Sequence, residues 1–135
     1  MQHPHSWTTL VTVLALLMYF AFSICCVLER VKHKLPAPAM SGNLDVERAL
    51  RVQGNTLEWL VMFLPALWLF SVYWNDRTGA LLGVLWIGGR VIYAFAYWAG
   101  KQRGIGFAIQ ALATFVLLFG AAAGAVRTLG ATGGL

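Results

Sequence analysis

The stretch from Glu47 to Glu58 reads ERALRVQGNTLE and carries two arginines, two glutamates, a glutamine and an asparagine into an otherwise strongly apolar chain. On a helix, Arg48, Arg51, Asn55 and Glu58 fall at offsets of three, seven and ten, which makes one stripe facing one neighbour. A second stripe occurs in GGRVIYAFAYWAG, where Arg90, Tyr93 and Tyr97 recur at offsets of three and seven. Arg30 closes the first apolar run and Arg103 opens the last, so all four runs bring a cation toward the same end. Arginines grip carboxylates or phosphates through paired hydrogen bonds, while a glutamate suits an ammonium. The set therefore fits an anionic zwitterion best. A thiol held there would ionise more easily, because a neighbouring guanidinium favours thiolate over thiol.

A plainer reading pairs Arg48 or Arg51 with Glu47 or Glu58, lets Arg30 and Arg103 snorkel to headgroups, and makes the tyrosines an interfacial belt. It leaves the uncharged Gln53 and Asn55 unexplained, and also the excess of arginine over acid. Ionisable groups at membrane depth cost about 2.5 to 3.5 kcal/mol each on insertion scales, so they are expected to face protein or a wet cavity.

The elements that must position these residues are read from hydropathy. The chain has 135 residues, 59% hydrophobic and 11% charged, with mean hydropathy +0.70. A soluble domain is closer to about 45 to 50% apolar. Four stretches reach the length of about 20 residues that a membrane helix needs, near residues 7–28, 44–74, 80–99 and 105–126. The expected fold is an all-α integral membrane domain, a single four-helix bundle spanning residues 1–135. The separators are RVKHKLPAPAMSGN, NDRTG and GKQRG, and Pro65 is expected to kink the second span. A signal peptide ending near Ala37-Pro38-Ala39 is disfavoured, since the first apolar run is too long and its basic cluster follows it.

Lys and Arg concentrate in the first loop and the start of the second span (Arg30, Lys32, Lys34, Arg48, Arg51) and in the third loop (Lys101, Arg103). The second loop has Arg77 and the tail Arg127. By the positive-inside rule, loops one and three are cytoplasmic and both termini outside. Topology thus accounts for the net charge of +5, and no nucleic-acid motif is visible. Adjacent Cys25 and Cys26 read as packing residues. His3, His5 and His33 lack the paired spacing of a helical metal site, so they are expected to be solvated and no metal is expected. Gly79 with Gly83, Gly120 with Gly124, and the pair Gly88 and Gly89 read as packing surfaces, within the chain or toward another subunit.

At its polar stripes the sequence resembles the MAPEG family, the membrane-associated proteins of eicosanoid and glutathione metabolism. Glu47, Arg48, Arg51, Gln53, Asn55 and Glu58 match the family pattern E-R-x-x-R-x-Q-x-N-x-x-E in order and spacing, and Arg90, Tyr93 and Tyr97 match its R-x-x-Y-x-x-x-Y. The resemblance implies a homotrimer that binds glutathione as co-substrate between subunits near the cytoplasmic face. It implies that Arg51, Asn55, Glu58, Tyr93 and Tyr97 contact the tripeptide, joined by Arg30 of the adjoining chain. Gln53 and Arg90 would support them, and Arg103 would stabilise the thiolate as the catalytic residue.

Three positions depart from the pattern. Trp59 stands where many glutathione-binding members have Tyr, and Val31 where the leukotriene-forming members have a second arginine. Arg103 also sits one position earlier after the last Tyr than in those members, so an eicosanoid substrate is not supported. The expected activity is a glutathione transferase, with or without peroxidase activity, acting on hydrophobic electrophiles or lipid peroxides. Its other partners would be membrane lipid and further copies of itself. The alternative is a non-catalytic lipid-binding protein resembling the lipoxygenase-activating member, against which Arg103 argues. A small drug exporter driven by Glu58 is a third class, and Arg51 would repel its cationic cargo.

Overall fold

The computed structural model describes residues 4–133 as four helices: α1 Ser6–Lys32, α2 Leu44–Tyr73, α3 Asp76–Trp98 and α4 Gly104–Ala131. All four are long and apolar enough to cross a membrane. The expected spans are present, with different ends. Helix α1 runs on to Lys32, and α3 begins at Asp76 because Asn75 caps it, its side chain accepting from the Arg77 and Thr78 amides. Most of the NDRTG separator is therefore the first turn of α3. Asn43 caps α2 in the same way through the Asp45 and Val46 amides, while Glu47 accepts from the Gly42 amide.

Helix α2 has 30 residues and is about 45 Å long at 1.5 Å per residue. A bilayer core is only about 30 Å thick. One end of α2 must therefore extend beyond the hydrocarbon, and its first turns hold the polar run. The helix continues through Pro65 without a break.

Helices α2 and α3 are central and touch every other helix, whereas α1 and α4 flank them without meeting. The main core packs Val11 and Ala15 of α1, Leu60, Phe63 and Leu67 of α2, Trp86 of α3 and Leu117 of α4. Phe63 stacks on Trp86 with centroids 4.0 Å apart and planes 2° from parallel. A smaller cluster of Phe22, Val52, Tyr93 and Ala94 lies beneath the polar stripes. Lipid tails are as apolar as leucine, so close packing and polar contacts must hold such helices together.

Small residues permit that packing. A Cβ on Gly106 would lie 2.5 Å from the Tyr93 amide nitrogen and 2.7 Å from the Gly89 carbonyl oxygen, so α3 and α4 meet backbone to backbone. Gly88 has nothing within 4 Å of its Cβ position and plays no part. Gly83 packs on Val11, Gly79 on Ser71, Gly120 on Phe70 and Gly124 on Tyr73, all within the chain. At the other end of the bundle, the Asp76 carboxylate accepts from the Trp7 and Thr8 amides, capping α1 from α3.

Candidate functional site

Arg90 is the centre of the site. Helix α3 buries it completely, and its Nη1 donates to Asn55 Oδ1 at 2.8 Å while its Nη2 donates to Thr56 Oγ1 at 2.6 Å. Its guanidinium carbon lies 4.3 Å from the centre of the Tyr93 ring, one helical turn away. Asn55 passes the contact on, its Nδ2 donating to Glu58 Oε2 at 3.3 Å. A charge that costs several kcal/mol to desolvate alone is thus held by two neutral oxygens and a ring. Thr56 carries no charge or amide to mark it in the sequence, and only its place beside Asn55 on α2 makes it a partner of Arg90.

Around this buried arginine the site opens. Arg51 and Glu58 are exposed on α2, Tyr97 is half-buried on α3, and Arg103 is the exposed N-cap residue of α4. The Arg103 guanidinium lies over the Tyr97 ring at 4.4 Å, and Tyr97 lies 5.6 Å from Tyr93. Arg51 and Arg103 lie near enough to the Tyr93 phenol, and Glu58 to Arg90, for charge to act between them. Seven of the nine expected site residues, Arg51, Asn55, Glu58, Arg90, Tyr93, Tyr97 and Arg103, therefore gather at one end of α2, α3 and α4.

Among the described residues, no ion pair involves Arg51, Arg90, Arg103 or Glu58. The plainer pairing of Arg51 with Glu47 or Glu58 is not observed, since Glu47 caps Gly42 and Glu58 accepts from Asn55. The exposed guanidiniums are free to take an anionic ligand, and Glu58 a cationic group.

The remaining expected residues point elsewhere within the chain. Gln53 faces α1, its Nε2 donating to Ser23 Oγ at 2.9 Å and its Oε1 accepting from Cys26 Sγ at 3.5 Å. It ties α1 to α2 from a different face from that of Arg51 and Asn55. Arg30 donates to the Ala39 carbonyl and so holds the first loop against the end of α1. Arg48 also leaves the expected stripe: its Nη1 lies 3.5 Å from the Trp98 carbonyl oxygen and 3.9 Å from Asp45 Oδ1. A stripe four residues deep was too wide, because α3 sits beside Arg48 while the Arg51 edge remains open.

Beyond the site, Trp59 meets Phe107 edge to face at 5.4 Å and Phe115 at 6.5 Å, and Phe107 also neighbours Tyr93 at 6.3 Å. Trp59 thus uses its ring to join α2 to α4.

The expectation that the histidines are solvated is corrected at two positions. His33 Nε2 lies 3.2 Å from Glu29 Oε2 and 3.3 Å from Asp45 Oδ2, joining the end of α1 to the start of α2. Glu29 and His33 stand four apart at the end of α1, a spacing without the paired histidines of a helical metal site. His5 packs its ring 6.0 Å from that of Trp68 and buries Nδ1. His3 lies outside the described residues.

Comparison with known proteins agrees with the motifs. The model of the MAPEG family matches residues 8–123. A protein of uncharacterized function from Synechocystis is 44% identical over 116 residues, which cover 85% of either chain. Microsomal glutathione S-transferase 2 of Mus musculus is 38% identical over 93 residues, 68% of this chain and 62% of that one. Leukotriene C4 synthase of Cavia porcellus is 32% identical over 92 residues, 68% of this chain and 61% of that one. The match spans only about six-tenths of the length of these mammalian relatives. With the motif residues in place on four apolar helices and the family model matching most of its length, this chain belongs to the MAPEG family of integral membrane proteins.

Proposed function

We propose that the protein is a membrane glutathione transferase that ionises the glutathione thiol and presents it to hydrophobic electrophiles or lipid peroxides. The observation that carries this reading is the open group of unpaired charges, Arg51, Arg103 and Glu58, around the buried Arg90. Glutathione is an anionic zwitterion with two carboxylates, one ammonium and a thiol, and each has a matching group here. Arg51 takes a carboxylate, Glu58 the ammonium, and Asn55, Tyr93 and Tyr97 the peptide. Arg103 stabilises the thiolate. The names of the mammalian relatives support the same activity class.

The step is loss of the thiol proton to water, then attack of the thiolate sulfur on an electrophilic carbon or on a peroxide oxygen, with the leaving group departing. Lowering a thiol pKa of about 8.5 by two units corresponds to about 2.7 kcal/mol of preferential thiolate stabilisation. One positioned guanidinium can supply that amount once a neighbouring subunit shields the exposed site from water.

The reading extends to assembly and orientation. The site is exposed on a single chain, which suits completion by Arg30 of a neighbour in a homotrimer. The distribution of Lys and Arg favours a cytoplasmic site with both termini outside.

The experiment is a titration of the purified protein in detergent with glutathione, following thiolate absorbance in the ultraviolet. Saturable thiolate formation at neutral pH is expected, and Arg51→Ala should weaken binding by about 1.5 to 3 kcal/mol, the range for hydrogen bonds to charged groups. Saturable binding without thiolate would favour the non-catalytic lipid-binding alternative, and no binding would remove the glutathione assignment altogether.

A further inference from the structure

Glu29 lies in the last turn of α1 and His33 caps its C-terminal end, and Asp45 stands in the first turn of α2 opposite them. One donor atom from each, Glu29 Oε2, His33 Nε2 and Asp45 Oδ2, falls in a group whose members all lie within 4.8 Å of one another. From the geometry we infer that this junction is a binding site for a divalent transition-metal ion of the zinc class, held by Glu29, His33 and Asp45 and bridging α1 to α2. The inference is independent of the glutathione reading.

Distance is the first support. Donors bound to zinc at about 2.0 to 2.1 Å in a tetrahedron are about 3.3 Å apart, and His33 Nε2 is 3.2 Å and 3.3 Å from its two carboxylate oxygens. The third edge, between the carboxylates, shortens by rotation of the Asp45 side chain, which is 51% exposed.

The second support is the state of the donors. Glu29 Oε2 and His33 Nε2 are both buried atoms that make no hydrogen bond. The carboxylates lie near the imidazole nitrogen but not aligned for hydrogen bonding. Contact between charged groups without a hydrogen bond leaves their buried polar atoms incompletely satisfied, and a shared cation would satisfy both at once. An imidazole with two carboxylates selects a transition metal over calcium or magnesium, which prefer oxygen donors alone.

Nearby charges leave room for the ion. Lys32 Nζ lies 3.9 Å from Glu29 Oε2, but its side chain is 67% exposed and free to swing away. Arg48 Nη1 lies 3.9 Å from Asp45 Oδ1, the oxygen that the ion does not need. A cavity of about 290 Å³ adjoins Glu29 and Asp45, with Lys32 and Arg48 also on its wall, and gives space for a water as fourth ligand. Arg30 follows Glu29 directly in the chain, so an ion here would also stiffen the turn that carries it.

The test uses the full chain in detergent with no oligohistidine tag, titrated with Zn²⁺ by calorimetry and with Co²⁺ by visible absorbance. One ion per chain is expected, with the intense visible bands of low-coordinate Co²⁺ and a rise in thermal midpoint on adding Zn²⁺. His33→Gln and Asp45→Asn should each weaken binding at least about tenfold, since even outer-shell changes cost metal sites about 10- to 100-fold. A variant with both His3 and His5 changed to Gln should bind as the parent does. No uptake by the parent chain overturns the inference, leaving an ion-paired histidine at the junction. Wild-type affinity in either the His33 or the Asp45 variant, each checked for native helical content, overturns it equally.

Discussion

The Arg90 guanidinium and the Asn55 amide oxygen are hydrogen-bonded at 2.8 Å, joining α3 to α2 at the buried floor of the site. Because Arg90 also donates to Thr56, its charge is committed to the protein, whereas that of Arg103 is exposed and lies against the Tyr97 ring. Arg90 therefore braces two helices, while the Arg103 guanidinium stays open to a ligand.

Arg90→Lys keeps the charge but loses the planar fork that reaches two acceptors at once. Each hydrogen bond to a charged group contributes about 1.5 to 3 kcal/mol, so the variant should unfold at clearly lower denaturant concentration in detergent. Equal stability of Arg90→Lys and the parent in that unfolding series would mean that Arg90 does not brace the two helices.

Arg103→Ala should leave glutathione affinity within a few fold, raise the apparent pKa of the bound thiol, and slow turnover by about ten- to a thousandfold at neutral pH. The bound thiol then needs higher pH to ionise, so the rate of the variant should climb with pH across a range where the parent is already flat. A pH–rate profile of both proteins checks this. A parent-like profile for Arg103→Ala would move the activating role to another residue.

Gly106→Ala introduces a Cβ 2.5 Å from the Tyr93 amide nitrogen and 2.9 Å from the Tyr93 Cα. Backbone cannot move aside as a side chain can, so α3 and α4 must separate, at about 1 to 3 kcal/mol for overpacking. Lower thermal stability and weaker glutathione binding are expected together. Gly88→Ala, with nothing within 4 Å of the new methyl, is the control that should change neither.

A cysteine placed at Ala37 should react with membrane-impermeant reagents only after the cytoplasmic face is opened, since the first loop carries the basic cluster. Light scattering of the protein in mild detergent should give the mass of three chains. Labelling from outside sealed cells would reverse the orientation, and a monomer mass would remove the intersubunit role proposed for Arg30.

Much of this protein was determined by local sequence. Four long apolar runs require four helices, because backbone groups inside lipid must satisfy one another. Two polar stripes at helical spacing place Arg51, Asn55 and Glu58 on one face of α2, and Arg90, Tyr93 and Tyr97 on one face of α3. Asn43 and Asn75 lie in separators that mark where helices stop, and only their side-chain contacts with the next amides show them to be the caps that start α2 and α3.

Only the tertiary structure decided how those faces turn toward one another. It buried Arg90 and left Arg103 exposed, turned Gln53 toward Ser23, drew Arg48 to Trp98, and set His33 against Asp45. It chose Gly89 over its neighbour Gly88 for the crossing of α3 and α4, and kept α1 apart from α4. The physical reason is that nearly every face of these helices is apolar, and lipid solvates an apolar face as readily as a neighbouring helix does. Hydropathy therefore carries little information about helix rotation. Close backbone contact at Gly89 and Gly106 and the hydrogen bonds of a few buried polar side chains select it, and both depend on residues far apart in the chain.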